Sequence, residues 1–342
     1  MFKKLNKLIL NSQRILITSH ISPDPDAYCS ALLLGRTLKL NFPKIKTEVV
    51  LEETATNLKF LQEANTVKHT ALLAAVKKFK PDLLIMLDGN NYERFSRLES
   101  VPLRQYVRTN KVKTVIIDHH EKFGADKVDL YIHRGSPATT QDVYWLCFEE
   151  LGLKKPIGFQ DTTMMGILSD TGRFLYQNKL HRETYKITSE LLDAGVNIEA
   201  LTNRMSQYSI ARMSVISELS ANLSQNRQYS YSLISDGFAR SWRKDQTELK
   251  AGCEAFVNIF IRNIEGRIWG FVVYPDLQKG GGFYGVSLRS INGTVDVSKI
   301  AKILGGGGHK PAAGASFAAR NAKNAARTVQ QAIAKAYPSL VE

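Results

Sequence analysis

The first half of the sequence alternates short apolar runs with amphipathic stretches, and this alternation most constrains the fold. Four runs rich in aliphatic and β-branched residues are predicted as buried strands: Arg14–Ser19, Thr47–Leu51, Asp82–Leu87 and Lys113–Ile117. Between them lie segments with the helical spacing of apolar residues, such as Ala27–Leu40 and Ala71–Lys80. This alternation predicts an α/β domain in which a mostly parallel sheet carries helices on both faces.

The pattern changes in the second half of the chain. Further strands are predicted at Tyr229–Ile234, Ala255–Arg262, Arg267–Tyr274 and Tyr284–Leu288, and further helices at Val297–Leu304 and Asn321–Ala336. A chain of 342 residues is long enough for two domains. We therefore predict a first domain over residues 1–205, a linker helix over 206–227, and a smaller mixed α/β domain over 228–342, with a cleft between the domains.

Composition and charge narrow the class of protein. Hydrophobic residues make up 44% of the chain and charged residues 23%, as in ordinary globular proteins. The net charge of +14 would attract polyanions such as nucleic acid, although a general lysine bias explains it equally well. No apolar run reaches the roughly 18 residues that span a bilayer, and the basic opening segment is typical of a surface helix. We therefore expect a cytoplasmic protein without a membrane partner.

Polar side chains follow three of the predicted strands at their carboxyl ends. His20 follows the first strand, Asp88 the third, and the tripeptide Asp118-His119-His120 the fourth. In open α/β sheets, ligands bind outside the carboxyl ends of the strands. One aspartate in such a place is most often a turn residue. Three strand ends together predict a functional site.

The loop between the first strand and the first long helix adds two carboxylates. In the sequence HISPDPDA, Pro23 and Pro25 stiffen the loop and keep it out of a premature helix. Asp24 and Asp26 lie two residues apart just before the helix. Helix capping explains one aspartate, but it explains neither the pair nor His20. We expect Asp24 and Asp26 to serve two neighbouring ions.

The combination of imidazoles and carboxylates indicates which metal chemistry to expect. Such a mixed ligand set suits a borderline-hard divalent ion such as Mn²⁺. Four aspartates and two or three histidines exceed the needs of one ion. Two ions about 3.5–4 Å apart, sharing a carboxylate and a water molecule, are the usual arrangement for cleaving phosphate esters. The sequence therefore predicts a dinuclear phosphoesterase site.

These motifs resemble those of the DHH phosphoesterase superfamily. HxxxDxD at 20–26, the aspartate at 88, DHH at 118–120 and SDTGRF at 169–174 occur in the family's order and approximate spacing. The run VDVSKIAKILGGGGHKPAAGASF at 295–317 resembles the DHH-associated domain, which carries a GGGH-x-x-A-A-G segment. The chain is most similar to the nano-RNase A subgroup. This resemblance implies hydrolysis of short single-stranded RNA and of 3′-phosphoadenosine 5′-phosphate by a water activated between two metal ions.

The resemblance also implies a role for each metal-competent residue. One ion would be held by His20, Asp24 and Asp88. The other ion would be held by Asp26, Asp88, His119 and Asp170. Asp88 would therefore bridge the two ions, and a tight turn at Gly172 would return Asp170 toward them.

Two more residues of the DHH motif are implied in catalysis rather than in metal binding. His120 would lie beside the scissile phosphate, where it would position the phosphate or protonate the leaving oxygen. Asp118 would orient a histidine or the end of the strand.

The second domain is expected to bind the substrate. The turn formed by Gly306, Gly307, Gly308 and His309 would offer backbone N–H groups and an imidazole to a phosphate or a base. Arg289 would clamp a phosphate through its planar guanidinium. A glycine run alone is most simply a turn, but the neighbouring histidine and arginine favour binding. The remaining histidines, His69, His133 and His181, lie in polar contexts and are predicted as surface residues.

Several alternatives stay open at this point. Asn90 and Asn91 after Asp88, and Ile291-Asn292 after the LRS tripeptide, depart from the family's pattern. The competing activities are cleavage of cyclic di-AMP or its linear product pApA, and RecJ-like exonuclease action on single strands. A catalytically silent nucleotide-binding protein is the alternative from a different class. The direction of cleavage, the metal used in the cell and a homodimeric state also stay open.

Overall fold

The structure is a computed structural model that describes residues 2–53, 58–96, 98–120, 124–175, 180–226, 228–242, 246–277 and 279–338. The chain divides into two compact units, Met1–Ser206 and Gln207–Glu342. Among the described residues, no helix combines the length and the apolar character that crossing a membrane requires.

The first unit is built on a parallel sheet. Its strands are β1 Arg14–Ser19, β2 Lys46–Leu51, β3 Lys68–His69, β4 Leu83–Leu87, β5 Lys113–Ile117 and β6 Leu130–Ile132. They lie in the order β3-β2-β1-β4-β5-β6, and each neighbouring pair is parallel. The mostly parallel α/β fold predicted from the alternating pattern is confirmed.

Helices cover both faces of this sheet. They are α1 Phe2–Leu10, α2 Pro25–Asn41, α3 Leu72–Phe79, α4 Tyr92–Phe95, α5 Ser100–Thr109, α6 Thr139–Tyr144, α7 Phe159–Asp170, α8 His181–Asp193 and α9 Ile198–Met205. A π-helical turn, Trp145–Glu150, continues α6. Alternate residues of β1 belong to different cores, since Ile15 and Ile17 pack in one apolar cluster and Leu16 in another. Both faces of the strand are therefore buried, which explains its continuous apolar run.

The strand order contains one reversal that matters for function. From β1 the chain moves outward through β2 and β3, and it then returns to place β4 on the other side of β1. The connections that follow β1 and β4 therefore leave the sheet toward opposite sides. A crevice opens at such a switch point, at the carboxyl ends of the strands.

The second unit has a mixed sheet. Its strands are β7 Ser224–Gln225, β8 Ser230–Leu233, β9 Trp269–Pro275, β10 Phe283–Ser290, β11 Gly307–His309 and β12 Ala312–Ala318. They lie in the order β11-β12-β10-β9-β8-β7, and the β8–β9 pair is parallel while the other pairs are antiparallel. The helices are α10 Ile210–Ala221, α11 Asp236–Ser241, α12 Gln246–Ile259, α13 Val297–Ile303 and α14 Ala322–Ala336. This confirms the mixed α/β fold predicted for the second half.

One predicted strand is wrong. The segment 255–262 was expected to be extended, but α12 continues to Ile259 and a 3₁₀ turn follows at Ile261–Asn263. The buried side chains of α12 in this region are Cys253, Phe256 and Val257, whose spacing is that of one helical face. The helical spacing decides the structure here, although the local composition favours a strand.

The segment expected as a linker, 206–227, contains α10. Val215, Ile216 and Leu219 of this helix are buried in an apolar cluster that includes residues of α12. A Cβ atom at Gly252 of α12 would lie 2.7 Å from Cβ of Val215, so the two helices approach closely. The helix is therefore part of the core of the second unit. Arg227, the last residue of the expected linker, lies outside the described residues.

Candidate metal centre

The carboxyl ends of three adjacent strands bring the predicted site residues of the first unit together. Ser19 of β1 is in register with Leu87 of β4, and Leu87 is in register with Ile117 of β5. The residues that follow these three, His20, Asp88 and Asp118, therefore leave the sheet side by side. The site lies at the switch point between β1 and β4, where the topology predicts a crevice.

The loop before α2 contributes two carboxylates with different surroundings. Asp24 is the N-cap of α2, and its Oδ1 atom accepts a hydrogen bond from the Ala27 N–H at 2.9 Å. Asp26 lies in the first turn of α2 and is fully buried. The capping role thus belongs to Asp24, and Asp26 is held in the interior for another reason.

Asp88 occupies the centre of the cluster. Its side chain is 1% exposed, and its two oxygen atoms face different histidines. Oδ2 lies 3.5 Å from Nε2 of His20, whereas Oδ1 lies 3.4 Å from Nε2 of His119 and 3.6 Å from Nδ1 of His120. The backbone of Asp88 has a φ of 59°, a left-handed conformation that aspartate adopts more readily than most residues. Such conformations concentrate at functional sites.

Asp170 reaches the cluster from the end of α7. Its Oδ2 atom lies 3.3 Å from Nε2 of His119. Gly172 follows with a φ of 56°, so the tight turn predicted at this glycine is present. Arg173 and Phe174 are also left-handed, with φ values of 61° and 65°, which makes the whole turn after α7 unusual for residues with side chains.

The resulting arrangement fits a divalent metal site. Three groups of residues could each hold an ion, because the ligand atoms within each group lie within 4.8 Å of one another. The groups are His20, Asp24 and Asp88; Asp26, His119 and Asp170; and Asp88, His119 and His120. Two buried atoms among them, Oδ2 of Asp88 and Nε2 of His119, have no hydrogen-bond partner among the described residues. Buried polar atoms normally have partners, so these two are explained if each contacts a cation. All six residues predicted as metal ligands are thus in one place.

His120 and Asp118 form a hydrogen-bonded pair at the edge of the cluster. Nδ1 of His120 lies 2.8 Å from Oδ1 of Asp118, and the Tyr131 hydroxyl donates to Oδ2 of Asp118 at 2.9 Å. Burial raises the pKa of the Asp118 carboxyl, but these hydrogen bonds outweigh burial and the net pKa is lowered. Asp118 is therefore an ionised acceptor, so Nδ1 of His120 carries the proton. The His120 side chain is 37% exposed, and its other nitrogen is not bonded to Asp118.

The charges of the cluster are unbalanced without a cation. Burial and the neighbouring charges of Asp88 and Asp170 raise the pKa of Asp24 to about 6. Burial, Asp170 and Asp88 likewise raise the pKa of Asp26 well above its ordinary value. Burial lowers the pKa of His119, but Asp170, Asp88 and Asp26 outweigh burial and raise it. The cluster therefore attracts positive charge, which protons supply when no metal is bound.

Metal binding is accordingly expected to tighten as the pH rises from about 6 to 8. In the metal-free protein the raised pKa keeps His119 protonated across this whole range, whereas Asp24, with a pKa of about 6, holds a proton only at its lower end. A cation must displace these protons. Each displaced proton makes the apparent affinity rise about tenfold per pH unit below its pKa. Calorimetric titration of Mn²⁺ in buffers with different ionisation enthalpies counts the protons. An affinity independent of pH, with no proton released, would contradict this assignment of charges.

The contribution of α6 to the site was not predicted from the sequence. The backbone N–H groups of Thr139 and Thr140 donate to the two carboxylate oxygens of Asp26, at 2.7 and 2.9 Å. The Thr139 hydroxyl donates to Oδ1 of Asp88 at 2.9 Å. The start of α6 therefore holds two predicted metal ligands. The feature visible in the sequence is the pair of threonines that begins α6, but no residue near this pair indicates a contact with Asp26 or Asp88.

The other histidines of the first unit divide into two groups. His69 is exposed, as predicted. The surface prediction for His133 and His181 is wrong, because both are half-buried. Nδ1 of His133 lies 3.0 Å from the backbone oxygen of Asp118, which places this ring beside the DHH segment.

In the second unit, Arg289 and His309 share one face of the sheet. Arg289 of β10 and His309 of β11 are both in register with Ala312 of the intervening strand β12. Directly paired residues of antiparallel strands point to the same face, so the two side chains lie about 10 Å apart across small residues. Nε of Arg289 donates to Oδ1 of Asn258 at 2.8 Å, and His309 is exposed.

The glycines before His309 have two different structural roles. A Cβ atom at Gly306 would lie 2.2 Å from the backbone oxygen of Gly314, and one at Gly308 would lie 2.5 Å from Cα of Ala313. These two glycines allow β11 to approach β12. Gly307 faces open space and is in register with Gly314, on the same face as His309.

Family models and curated relatives match most of this chain. The family model described as the DHH family N-terminal domain matches residues 14–167, and the DHHA1 domain model matches residues 244–335. The bifunctional oligoribonuclease and PAP phosphatase NrnA of Thermus thermophilus is 28% identical over 93% of this chain and 89% of its own length. The cyclic-di-AMP phosphodiesterase PdeA of Listeria monocytogenes is 23% identical over 89% of this chain, which spans 45% of that protein.

A solved structure has the same fold. The crystal structure of an exopolyphosphatase-related protein from Bacteroides fragilis covers 100% of this chain and 97% of its own, with a TM-score of 0.80 and 22% identity. The six predicted metal ligands, with Asp118 and His120, lie within or beside the region matched by the first family model. The first unit therefore carries the DHH family N-terminal domain and the second unit the DHHA1 domain, which places the chain among the DHH-family phosphoesterases.

Proposed function

We propose that the protein hydrolyses short oligoribonucleotides to mononucleotides and 3′-phosphoadenosine 5′-phosphate to AMP, with two divalent ions, preferentially Mn²⁺. The observation that carries this proposal is the position of Asp88, whose two oxygens face His20 and His119 from the centre of the ligand cluster. A buried carboxylate with ligand atoms on both sides suits a bridge between two ions. Bound ions would supply an activated water at neutral pH and neutralise charge on the attacked phosphate.

The residues of the chain have separate tasks in this proposal. His20, Asp24, Asp26, His119 and Asp170 hold the ions together with Asp88. His120 positions the scissile phosphate and exchanges a proton with the leaving oxygen through the nitrogen that Asp118 does not contact. Asp118 keeps the imidazole in one tautomer and orientation, as carboxylates beside catalytic histidines do.

The choice of substrate rests on the relatives and on the second unit. The Thermus thermophilus relative, by its name, acts on oligoribonucleotides and PAP, and it matches this chain along nearly its whole length. Arg289 and His309, on one face of the second sheet, provide a guanidinium and an imidazole for a second phosphate or a base. Cleavage of a cyclic dinucleotide is the second candidate, because the Listeria relative is named for that activity.

Removal of metal is expected to abolish activity. After dialysis against a chelator the protein should not hydrolyse any substrate, and Mn²⁺ should restore the rate more fully than Mg²⁺, because the ligands include imidazoles. The assay uses RNAs of 2 to 24 residues, cyclic di-AMP, pApA and the bisphosphate, and it follows product lengths over time. Full turnover in excess EDTA would contradict the metal mechanism, and preferential cleavage of cyclic di-AMP would favour the second candidate.

Arg289→Ala is expected to lower kcat/KM about 10- to 150-fold on a dinucleotide or the bisphosphate. This range corresponds to a charge-assisted hydrogen bond of roughly 1.5–3 kcal/mol. Little change is expected on bis-p-nitrophenyl phosphate, which has no second phosphate. The matched control is Arg327→Ala, which removes an exposed arginine from α14 and leaves β10 intact. Equal losses on both substrates would show that Arg289 acts in catalysis or folding instead.

A further inference from the structure

The start of α6 holds the Asp26 carboxylate through backbone hydrogen bonds. Both carboxylate oxygens of Asp26 accept backbone N–H groups, Oδ2 from Thr139 and Oδ1 from Thr140. The Thr140 hydroxyl also donates to the backbone oxygen of Asp26, at 3.1 Å. All three residues are fully buried, so water does not compete for these bonds. The orientation of the Asp26 carboxylate is therefore set by α6.

Thr139 also forms a hydrogen bond with a second carboxylate. Its hydroxyl donates to Oδ1 of Asp88, the oxygen that faces His119. Oδ2 of Asp88 has no hydrogen-bond partner among the described residues and lies 3.5 Å from Nε2 of His20. One oxygen of Asp88 is thus fixed by a protein donor, and the carboxylate cannot rotate without breaking that bond. Thr139 alone contacts both Asp26 and Asp88 among the hydrogen bonds of α6 described above.

Close packing of α7 keeps the start of α6 in place. Gly166 of α7 lies so near that a Cβ atom there would be 2.2 Å from Oγ1 of Thr140 and 3.0 Å from Oδ1 of Asp26. A glycine inside a helix makes the helix less stable than an alanine would, by about 1 kcal/mol. The close approach accounts for it, because any side chain would push Thr140 and Asp26 apart.

We infer that Thr139 is a positioning residue, which fixes the carboxylates of Asp26 and Asp88 relative to each other through its amide and its hydroxyl. Asp26 and Asp88 belong to different sets of ligand atoms, so one residue sets the spacing between the sets. Partners of this kind, which hold a metal ligand without touching the metal, typically change metal affinity by 10- to 100-fold when removed. This inference rests on the proposed dinuclear site.

The test compares three substitutions in the full chain. Thr139→Val removes the hydroxyl but keeps the shape and the backbone N–H to Asp26, and Thr139→Ser restores a hydroxyl. The matched control is Thr184→Val, because the buried Thr184 hydroxyl donates to Oε1 of Gln141, also on α6, at 2.7 Å. Thr184 contacts α6 without contacting a ligand in any hydrogen bond that the structure gives it. Calorimetric titration with Mn²⁺ measures the number of ions and their affinities, and thermal unfolding monitors stability.

The expected result is that Thr139→Val weakens Mn²⁺ binding roughly 10- to 100-fold, with Thr139→Ser within about threefold of wild type. Thr184→Val should bind Mn²⁺ as the wild type does, even if it unfolds at a lower temperature. If Thr139→Val does not fold, Thr139→Ala, which adds no methyl group beside Asp88, takes its place in the titration.

Two outcomes would overturn the inference while leaving the proposed function intact. Unchanged Mn²⁺ affinity in the variants lacking the Thr139 hydroxyl would show that Asp88 needs no such donor. Equal weakening in Thr184→Val would show that general loosening of α6 causes the effect. Failure of the wild-type protein to bind Mn²⁺ at all would instead refute the proposed function, and the inference with it.

Discussion

An Asp88→Asn variant is expected to lose at least about 10³-fold of the wild-type kcat/KM on a dinucleotide. The buried carboxylate lies between His20 and His119, so its charge acts on both proposed ions at short range. At an effective dielectric constant of about 20, two unit charges about 4 Å apart interact by about 4 kcal/mol, which corresponds to about 10³-fold in rate. Removal of the charge also leaves two cations repelling each other.

Asparagine is the more specific substitution at this position, because it removes the charge without straining the backbone. Asp88 has a φ of 59°, and asparagine tolerates the left-handed region nearly as well as aspartate, whereas alanine adds backbone strain. The matched control is Asp129→Asn, because Asp129 lies at the amino ends of the strands, at the opposite end of the sheet from the site. Asp129 accepts hydrogen bonds from the Lys113 side chain and the Thr114 N–H, both at 2.9 Å, at the start of β5. That variant should retain wild-type rates.

If Asp88 bridges the two ions, its substitution should lower activity more than the substitution of any other single metal ligand. Asp24 caps a helix and belongs to one set of ligand atoms, so Asp24→Asn should cost less activity than Asp88→Asn. If Asp88→Asn kept near wild-type rates while Asp24→Asn abolished activity, the bridging role would belong elsewhere.

His120→Ala is expected to lower kcat by about 10² to 10⁴, the range of general acid–base catalysis. It should retain both metal ions. Nδ1 of His120 is hydrogen-bonded to Asp118, and the partly exposed ring presents its other nitrogen. Loss of the imidazole removes a proton donor for the leaving oxygen and leaves the six ligands in place. The measurements are single-turnover rates on a dinucleotide and elemental analysis of the purified protein.

The control for this variant is His69→Ala, since His69 is exposed and contacts the backbone oxygen of Glu53. It should have wild-type rates and metal content. A His120→Ala protein that holds only one ion would show that His120 is a metal ligand, in keeping with its proximity to Asp88 and His119.

Local patterns were sufficient for the four central strands of the first unit, but the two edge strands β3 and β6 were not predicted. The strands β1, β4 and β5 were predicted nearly to the residue, because short runs rich in aliphatic and β-branched residues are typical of strands buried on both faces. The placement of His20, Asp88 and Asp118 at adjacent strand ends follows from the same pattern, since parallel strands end at one edge of the sheet. Where composition and spacing disagreed, as in α12, the local prediction failed.

The sequence by itself thus determined the α/β class, the order of the motifs and the set of metal-competent side chains, because all of these depend on local periodicity and residue type. The tertiary structure alone decided which of Asp24 and Asp26 caps α2, and that α6 orients Asp26 and Asp88. Thr139 is separated from Asp26 by 113 residues, and the hydrogen bond between them forms only after the sheet has brought their segments together. A contact of that separation depends on the topology of the whole unit, which no local pattern encodes.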